Sequence, residues 1–392
     1  MRVSVVGVAF LSSLVITGWT ALAWVLTPCF LLVLLPLPAS LQTKGFYRRT
    51  MGVDGSGGVA AWTLAMSSVE NLFGIQVKIY GDAATKAHEE EMPQDRALWL
   101  SNHRTRVDWM FMWCVALRTR TLHQLRIILK APLRKIPIFG WAMQHFIFIF
   151  LVRHSLIFAV GCYKQQRRWA DDQVNLRKLL PFLTSEEPEA SYLIFPEGTD
   201  LSESNKVKSI AFAEKNSLPP RQYSLYPRTT GWTFMFPLLR AQLTAVYDVT
   251  MFYVDYTANE RPSEASLLTG RVPRMIQFYI ERVDISTLRD KSEGELAAWM
   301  EARFERKEAM LKVFYESDDG KLPAGAEPMF EEDQAPAMAG LVAFWVGLVV
   351  LTGIFGLIGN VSSLLGAAAV IAGHAASTAY GSGVDGYLVE NL

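Results

Sequence analysis

His103 and Asp108 stand five positions apart in Asn102-His103-Arg104-Thr105-Arg106-Val107-Asp108, a spacing that suits a general base and the group that orients it. An aspartate accepting from one ring nitrogen fixes the tautomer and leaves the other nitrogen to take a proton. Further along, Phe195-Pro196-Glu197-Gly198-Thr199 sets a carboxylate between a restricted proline and a permissive glycine, which fixes a turn. That turn offers a carboxylate and backbone N–H groups. Taken alone, the first motif reads better as a helix-capping aspartate beside a surface histidine. The pairing of the two motifs is what points to chemistry.

Both motifs need strands to hold them. Residues 97–101 and 192–195 are apolar runs that read as buried strands, so each motif emerges at a strand end, where open α/β sheets place their sites. Residues 109–117 are dense in apolar side chains and predict a core-facing helix. Further strands are predicted over 73–80, 126–130, 146–152, 244–254 and 275–282. A helix is predicted over 174–180, stopping at Pro181. Ser292 and Glu295 form a capping box that opens a helix with Leu296, Trp299, Met300, Phe304 and Leu311 on one stripe. Glu89, Glu90 and Glu91 beside His88 mimic a metal cluster, but adjacent acids cannot all face one ion, and they read as a solvated loop. Strands alternating with helices define an α/β fold, a mixed sheet flanked by helices.

Over 392 residues, 38 basic and 38 acidic side chains cancel, which gives a nucleic-acid partner no electrostatic support. The charges are unevenly placed: residues 3–43 and 334–384 contain no Asp, Glu, Lys or Arg. The apolar run 3–37 is too long for a signal-peptide core of about 7–15 residues. It predicts a membrane helix, either a single tilted one or one followed by a re-entrant piece broken at Pro28 and Pro36. Residues 341–359 predict another span, and 361–377 a shorter one rich in Gly and Ala. Lys44, Arg48 and Arg49 follow the first run, so the positive-inside rule puts the charged body in the cytosol. The expected organisation is a membrane anchor over 1–43, a catalytic domain over 44–319, a linker over 320–337, and a transmembrane region and tail over 338–392. Cys29, Cys114 and Cys162 form no C-x-x-C pair, so neither a disulfide framework nor a thiolate metal site is indicated.

N-H-x-x-x-x-D at 102–108, F-P-E-G-T at 195–199 and, between them, Phe148-Ile149-Phe150-Leu151-Val152-Arg153 resemble the motifs of the glycerophospholipid acyltransferases. That family includes the 1-acylglycerol-3-phosphate acyltransferases. PEGTDLSESN, AFAEKN and YPRTTGWTF are closer still to its lysocardiolipin branch, and the resemblance covers roughly residues 60 to 315. It implies a sandwich of sheet and helices, membrane-bound in the endoplasmic reticulum with its catalytic domain facing the cytosol. The implied reaction moves an acyl chain from acyl-CoA, a co-substrate and not a cofactor, to the hydroxyl of a lysophospholipid in the bilayer. By the same resemblance His103 is the general base, Asp108 orients it, Glu197, Gly198 and Thr199 help hold the acceptor, and Arg153 meets its phosphate. No metal or Ser/Cys nucleophile is implied, since a thioester is already activated. Taking the alcohol's proton as it attacks is worth about 10²–10⁴-fold.

Many members of that family carry Arg after F-P-E-G-T, where Asp200 stands here. The change removes a phosphate-binding cation, speaks against lysophosphatidic acid as acceptor, and leaves Arg228 to supply positive charge. Lys130 and Arg134 are expected either on CoA or headgroup phosphates or in a solvated basic loop, and Arg104 and Arg106 are open to the same two readings. The alternatives are a lysophosphatidic acid acyltransferase, a non-catalytic membrane scaffold, and a metal-dependent hydrolase using His103, Asp108 and Glu197. Against the hydrolase counts the lack of a closely spaced ligand pair.

Overall fold

β2 (Ala97–Ser101) is almost wholly apolar, the composition of a strand covered on both faces, and every residue in it is buried. β5 (Ser191–Ile194) is also buried throughout and pairs with it in parallel, Leu100 beside Ile194. The computed structural model describes residues 4–8, 12, 15, 70, 73–151, 169–186, 189–254, 262–331, 361–380 and 383. The other strands among these are β1 (Gln76–Gly81), β3 (Leu125–Lys130), β4 (Ile149–Leu151), β6 (Ala245–Val254), β7 (Met275–Asp284) and β8 (Glu327–Met329). They form one mixed sheet in the order β4-β3-β5-β2-β6-β7-β1-β8. β2 lies between two parallel partners, β5 and β6, while the pairs β6–β7 and β1–β8 run antiparallel. The chain leaves β2 for β3 on one side and leaves β5 for β6 on the other. The carboxyl ends of β2, β5 and β6 therefore frame a switch point, where open α/β sheets hold ligands.

The α-helices that accompany this sheet are α1 (Ala83–Ala87), α2 (Asp108–Arg118), α3 (Phe139–His145), α4 (Trp169–Glu186), α5 (Glu203–Lys215), α6 (Thr229–Leu239), α7 (Glu264–Thr269), α8 (Ser286–Arg289), α9 (Glu293–Glu316) and α10 (Val361–Tyr380). Side chains alternate along β6. Its odd residues share a face with α2, where Tyr253 meets Phe111 edge-on at 5.9 Å. Its even residues face α9, where Phe252 meets Phe314 at 4.7 Å and Asp248 meets Lys307 at 2.6 Å. α9 opens with the expected capping box, Ser292 N–H donating to Glu295 at 2.8 Å and Glu295 N–H donating to Ser292 Oγ at 3.4 Å. Its expected stripe is the buried one, with Leu296, Met300, Phe304 and Leu311 inside and Trp299 stacked on Trp232 at 5.4 Å.

Several expectations are corrected. The helix expected to stop at Pro181 runs through it as α4. A proline inside a helix costs about 3 kcal/mol. Leu176, Leu180, Phe182 and Leu183 are buried on both sides of it, and at about 1.5–3 kcal/mol each their burial outweighs that penalty. The strand expected over 146–152 shrinks to β4, because Ile147 takes a φ of 47°, which a strand cannot contain. The expected linker over 320–337 supplies β8, with Met329 paired beside Ile79, so the sheet extends past residue 319. Glu89 to Gln94 form a 3-10 turn, in which Glu89 accepts from Lys86 at 2.7 Å and from Phe330 N–H at 2.8 Å.

Among the described residues no helix is long and apolar enough to cross a membrane. Most of the anchor expected over 1–43 and all of the span expected over 341–359 lie outside those residues. The shorter span expected over 361–377 falls within α10, whose second half docks on protein. His374 Nε2 lies 3.0 Å from His145 Nε2, and Gln144 donates to Thr378 Oγ1 at 3.1 Å. A buried histidine and a hydrogen-bonded threonine belong on a face made for protein. Cys114 is buried in α2, while Cys29 and Cys162 lie outside the described residues.

Candidate active site

The ladder between β2 and β6 ends with Ser101 beside Val249, and Asn102 then extends it with its side chain. Its Oδ1 accepts from Met251 N–H at 2.8 Å, and its Nδ2 donates to the Met251 carbonyl at 3.2 Å. An amide that imitates a strand residue thus pins the chain where it turns out of the sheet. His103 is the next residue.

His103 Nδ1 lies 2.9 Å from Asp108 Oδ2. An ionised carboxylate can only accept, so the proton between them belongs to Nδ1 and Nε2 is the basic nitrogen. Asp108 is the first residue of α2 and is fully buried, yet its carboxylate turns back from the helix. It accepts from Thr105 N–H at 3.0 Å, from Thr105 Oγ1 at 3.1 Å and from the Tyr253 hydroxyl at 2.6 Å. The helix-cap alternative does not describe it. The His103 ring rests on Phe195, with centroids 4.5 Å apart, and its side chain is 15% exposed. The imidazole is therefore held on one nitrogen and reachable from outside.

The second motif arrives beside it. Gly198 takes a φ of 70°, in the left-handed region that favours glycine, and its N–H closes the turn on the Phe195 carbonyl at 2.8 Å. Glu197 is buried beneath. One of its oxygens accepts from His103 N–H at 2.7 Å, and the other accepts from Leu225 N–H at 2.8 Å. Each oxygen thereby holds a backbone N–H, so Glu197 sets the backbone of His103 and of Leu225. Burial pushes its pKa up to about 8, against the pull of those two N–H groups.

The remaining expected residues are spread around this core. Thr199 Oγ1 accepts from Asn205 at 3.0 Å and from Lys130 Nζ at 3.5 Å, the outer limit of a hydrogen bond. Arg228 N–H donates to the Pro196 carbonyl at 2.8 Å, which draws the start of α6 onto the motif. Glu308 of α9 braces the same segment, accepting from the N–H groups of Gln222 at 2.6 Å and Ser224 at 2.7 Å. Arg134 lies on a 3-10 turn after β3, where its carbonyl takes Gln144 at 3.1 Å. Arg106, largely exposed, stands 3.9 Å from Asp200. Arg153 lies outside the described residues. Among the described residues no group of His, Cys, Asp and Glu could hold a metal ion. Sequence reasoning missed Tyr253 and the Asn102 clamp. Asn102 stood inside the first motif, but Tyr253 is separated from Asp108 by 145 residues and left no local signal.

An imidazole held on one nitrogen at the switch point of an α/β sheet leaves its other nitrogen available to take a proton. Residues 84–254 match the family model for acyltransferases, and residues 266–345 match the one for the acyltransferase C-terminus. The chain belongs to this acyltransferase family. Lysocardiolipin acyltransferase 1 of Danio rerio is 39% identical over 271 residues, which are 68% of this chain and 63% of that protein. The protein of the same name from Gallus gallus is 40% identical over 66% of this chain and 62% of its own length. Lysophosphatidylinositol acyltransferase 10 of Caenorhabditis elegans is 34% identical over 66% and 62%. The chain thus spans a little over three-fifths of the length of the curated relatives it matches.

Proposed function

We propose that this protein transfers an acyl chain from acyl-CoA to a lysophospholipid hydroxyl, of lysocardiolipin type, with His103 as general base. The observation that carries the reading is the 2.9 Å contact between His103 Nδ1 and a fully buried Asp108. Nε2 takes the proton of the acceptor hydroxyl as its oxygen attacks the thioester carbonyl. The new C–O ester bond forms, the C–S bond breaks, and the CoA thiolate leaves with the proton from Nε2. Asp108 stabilises the imidazolium formed between those two transfers.

Gly198 and Thr199, at the mouth of the turn, line the acceptor's side, and Lys130 and Arg134 stand on the side of the CoA or headgroup phosphates. Asp200 meets Arg106 and so supplies a negative charge where a lysophosphatidic acid acceptor would need a cation. The relatives named for lysocardiolipin are also more similar to this chain, at 39–40%, than two named for lysophosphatidylinositol, at 34% and 25%. The uncharged runs at 3–43 and 334–384 support attachment to a membrane, Lys44, Arg48 and Arg49 support a body in the cytosol, and the endoplasmic reticulum rests on the family resemblance alone.

The test is acyl transfer from labelled acyl-CoA to a panel of lysocardiolipin, lysophosphatidylinositol and lysophosphatidic acid. Fastest transfer to lysocardiolipin is expected. Fastest transfer to lysophosphatidic acid would defeat the argument from Asp200, and no transfer to any of the three would defeat the reading.

A further inference from the structure

A cavity of about 630 Å³ opens where β6 ends and β7 begins, beneath the carboxyl end of α9. Three cations line it, Arg104, Lys206 and Arg274, and two exposed acids, Asp318 and Asp319, stand on its wall. Arg104 is almost wholly buried, and its guanidinium carbon stands over the Tyr315 ring, 4.0 Å from the centroid, a contact that anchors it in the wall. The same wall touches the site at three points. Arg104 follows His103 in the chain, Leu201 N–H donates to the His103 carbonyl at 2.9 Å, and the Tyr253 hydroxyl holds Asp108.

We propose that this cavity seats the phosphorylated polyol headgroup of the acceptor lipid, and that Lys206 and Arg274 decide which headgroups are accepted. The proposal rests on the reading of the protein as a lysophospholipid acyltransferase. A volume of this size lies within the range of about 300–1,000 Å³ that suits a small polar ligand. Its charges select further. Guanidinium and ammonium groups pair with one phosphate, and the carboxylates of Asp318 and Asp319 accept from hydroxyls beside it. A bare phosphate offers those acids nothing but repulsion, and a neutral polyol leaves the cations unmatched. A glycerophosphoglycerol unit satisfies both sets.

The test compares wild type with Lys206→Ala, Arg274→Ala and Arg274→Lys, using lysocardiolipin and acyl-CoA. Each alanine variant is expected to raise the acceptor KM about tenfold or more, with the acyl-CoA KM held within about twofold, and Arg274→Lys to recover part of the loss. An unchanged acceptor KM in both alanine variants overturns the proposal. So does a rise confined to the acyl-CoA KM, which would assign the cavity to CoA. If wild type transfers no acyl chain, the acyltransferase reading fails separately, and calorimetric titration with sn-glycero-3-phosphoglycerol decides this one. Binding by wild type and His103→Ala that is lost in both alanine variants upholds the cavity as a headgroup site, and no binding by wild type overturns it.

Discussion

Asp108 accepts four hydrogen bonds on two buried oxygens, from His103, from Thr105 twice, and from Tyr253. A carboxylate so surrounded has no freedom to do anything but hold its imidazole. Glu197 does the same for the backbone of His103, and here pH gives a handle. Its pKa rises from 4.5 to about 8 on folding, so the folded chain holds that proton more tightly than the unfolded chain does. Its stabilising effect is present in full below pH 4.5 and is lost as pH rises through 8. Between those two values the loss runs at about 1.4 kcal/mol per pH unit. Melting temperatures between pH 5 and 8 should therefore fall in wild type and fall less steeply in Glu197→Gln, which cannot titrate. Equal slopes in the two proteins would show that Glu197 is not the group responsible.

At the scale of elements, the sequence made visible what local pattern encodes. β2 and β5 were legible from apolar runs, α9 from its capping box and stripe, and the site's address from two motifs at strand ends. Long-range partners were not legible. Tyr253 reaches Asp108 from a distant strand, and Pro181 sits inside α4 because tertiary burial on both sides outweighs a local rule. Lys307 is the sharpest case. It continues the apolar stripe of α9 but is fully buried, with Nζ 2.6 Å from Asp248 and 2.5 Å from the Val249 carbonyl. Nothing in its neighbours along the helix announces that role. Lys307→Met leaves Asp248 buried with less compensation, although Arg303 stands 3.6 Å away. It should cost about 3–5 kcal/mol in chemical denaturation. Adding Asp248→Leu should recover much of that loss, because the unmatched charge then disappears. If the double variant were no more stable than the single one, the pair would not be the cause.

Across the whole molecule, a charged body that carries the sheet lies between two uncharged runs, and α10 is joined to that body through His374 and Thr378. That docking separates the end of the chain from a simple reading as lipid-facing helices. In sequence the terminal runs are nevertheless long enough for spans of about 20 residues each. The full chain is expected to stay with membranes after alkaline carbonate extraction, as followed by immunoblotting. Its release into the supernatant would mean that the terminal runs lie on protein or on the membrane surface.

These scales meet at one nitrogen. The sheet's switch point, the Asn102 clamp, Glu197 and Asp108 all hold His103, the residue proposed as general base. The direct measurement is kcat for acyl transfer from acyl-CoA to lysocardiolipin in wild type and His103→Ala, each with its melting temperature recorded. A loss of about 10²–10⁴-fold or more in kcat, with the melting temperature nearly unchanged, is the predicted result. Transfer at the wild-type rate by a folded His103→Ala protein would contradict it.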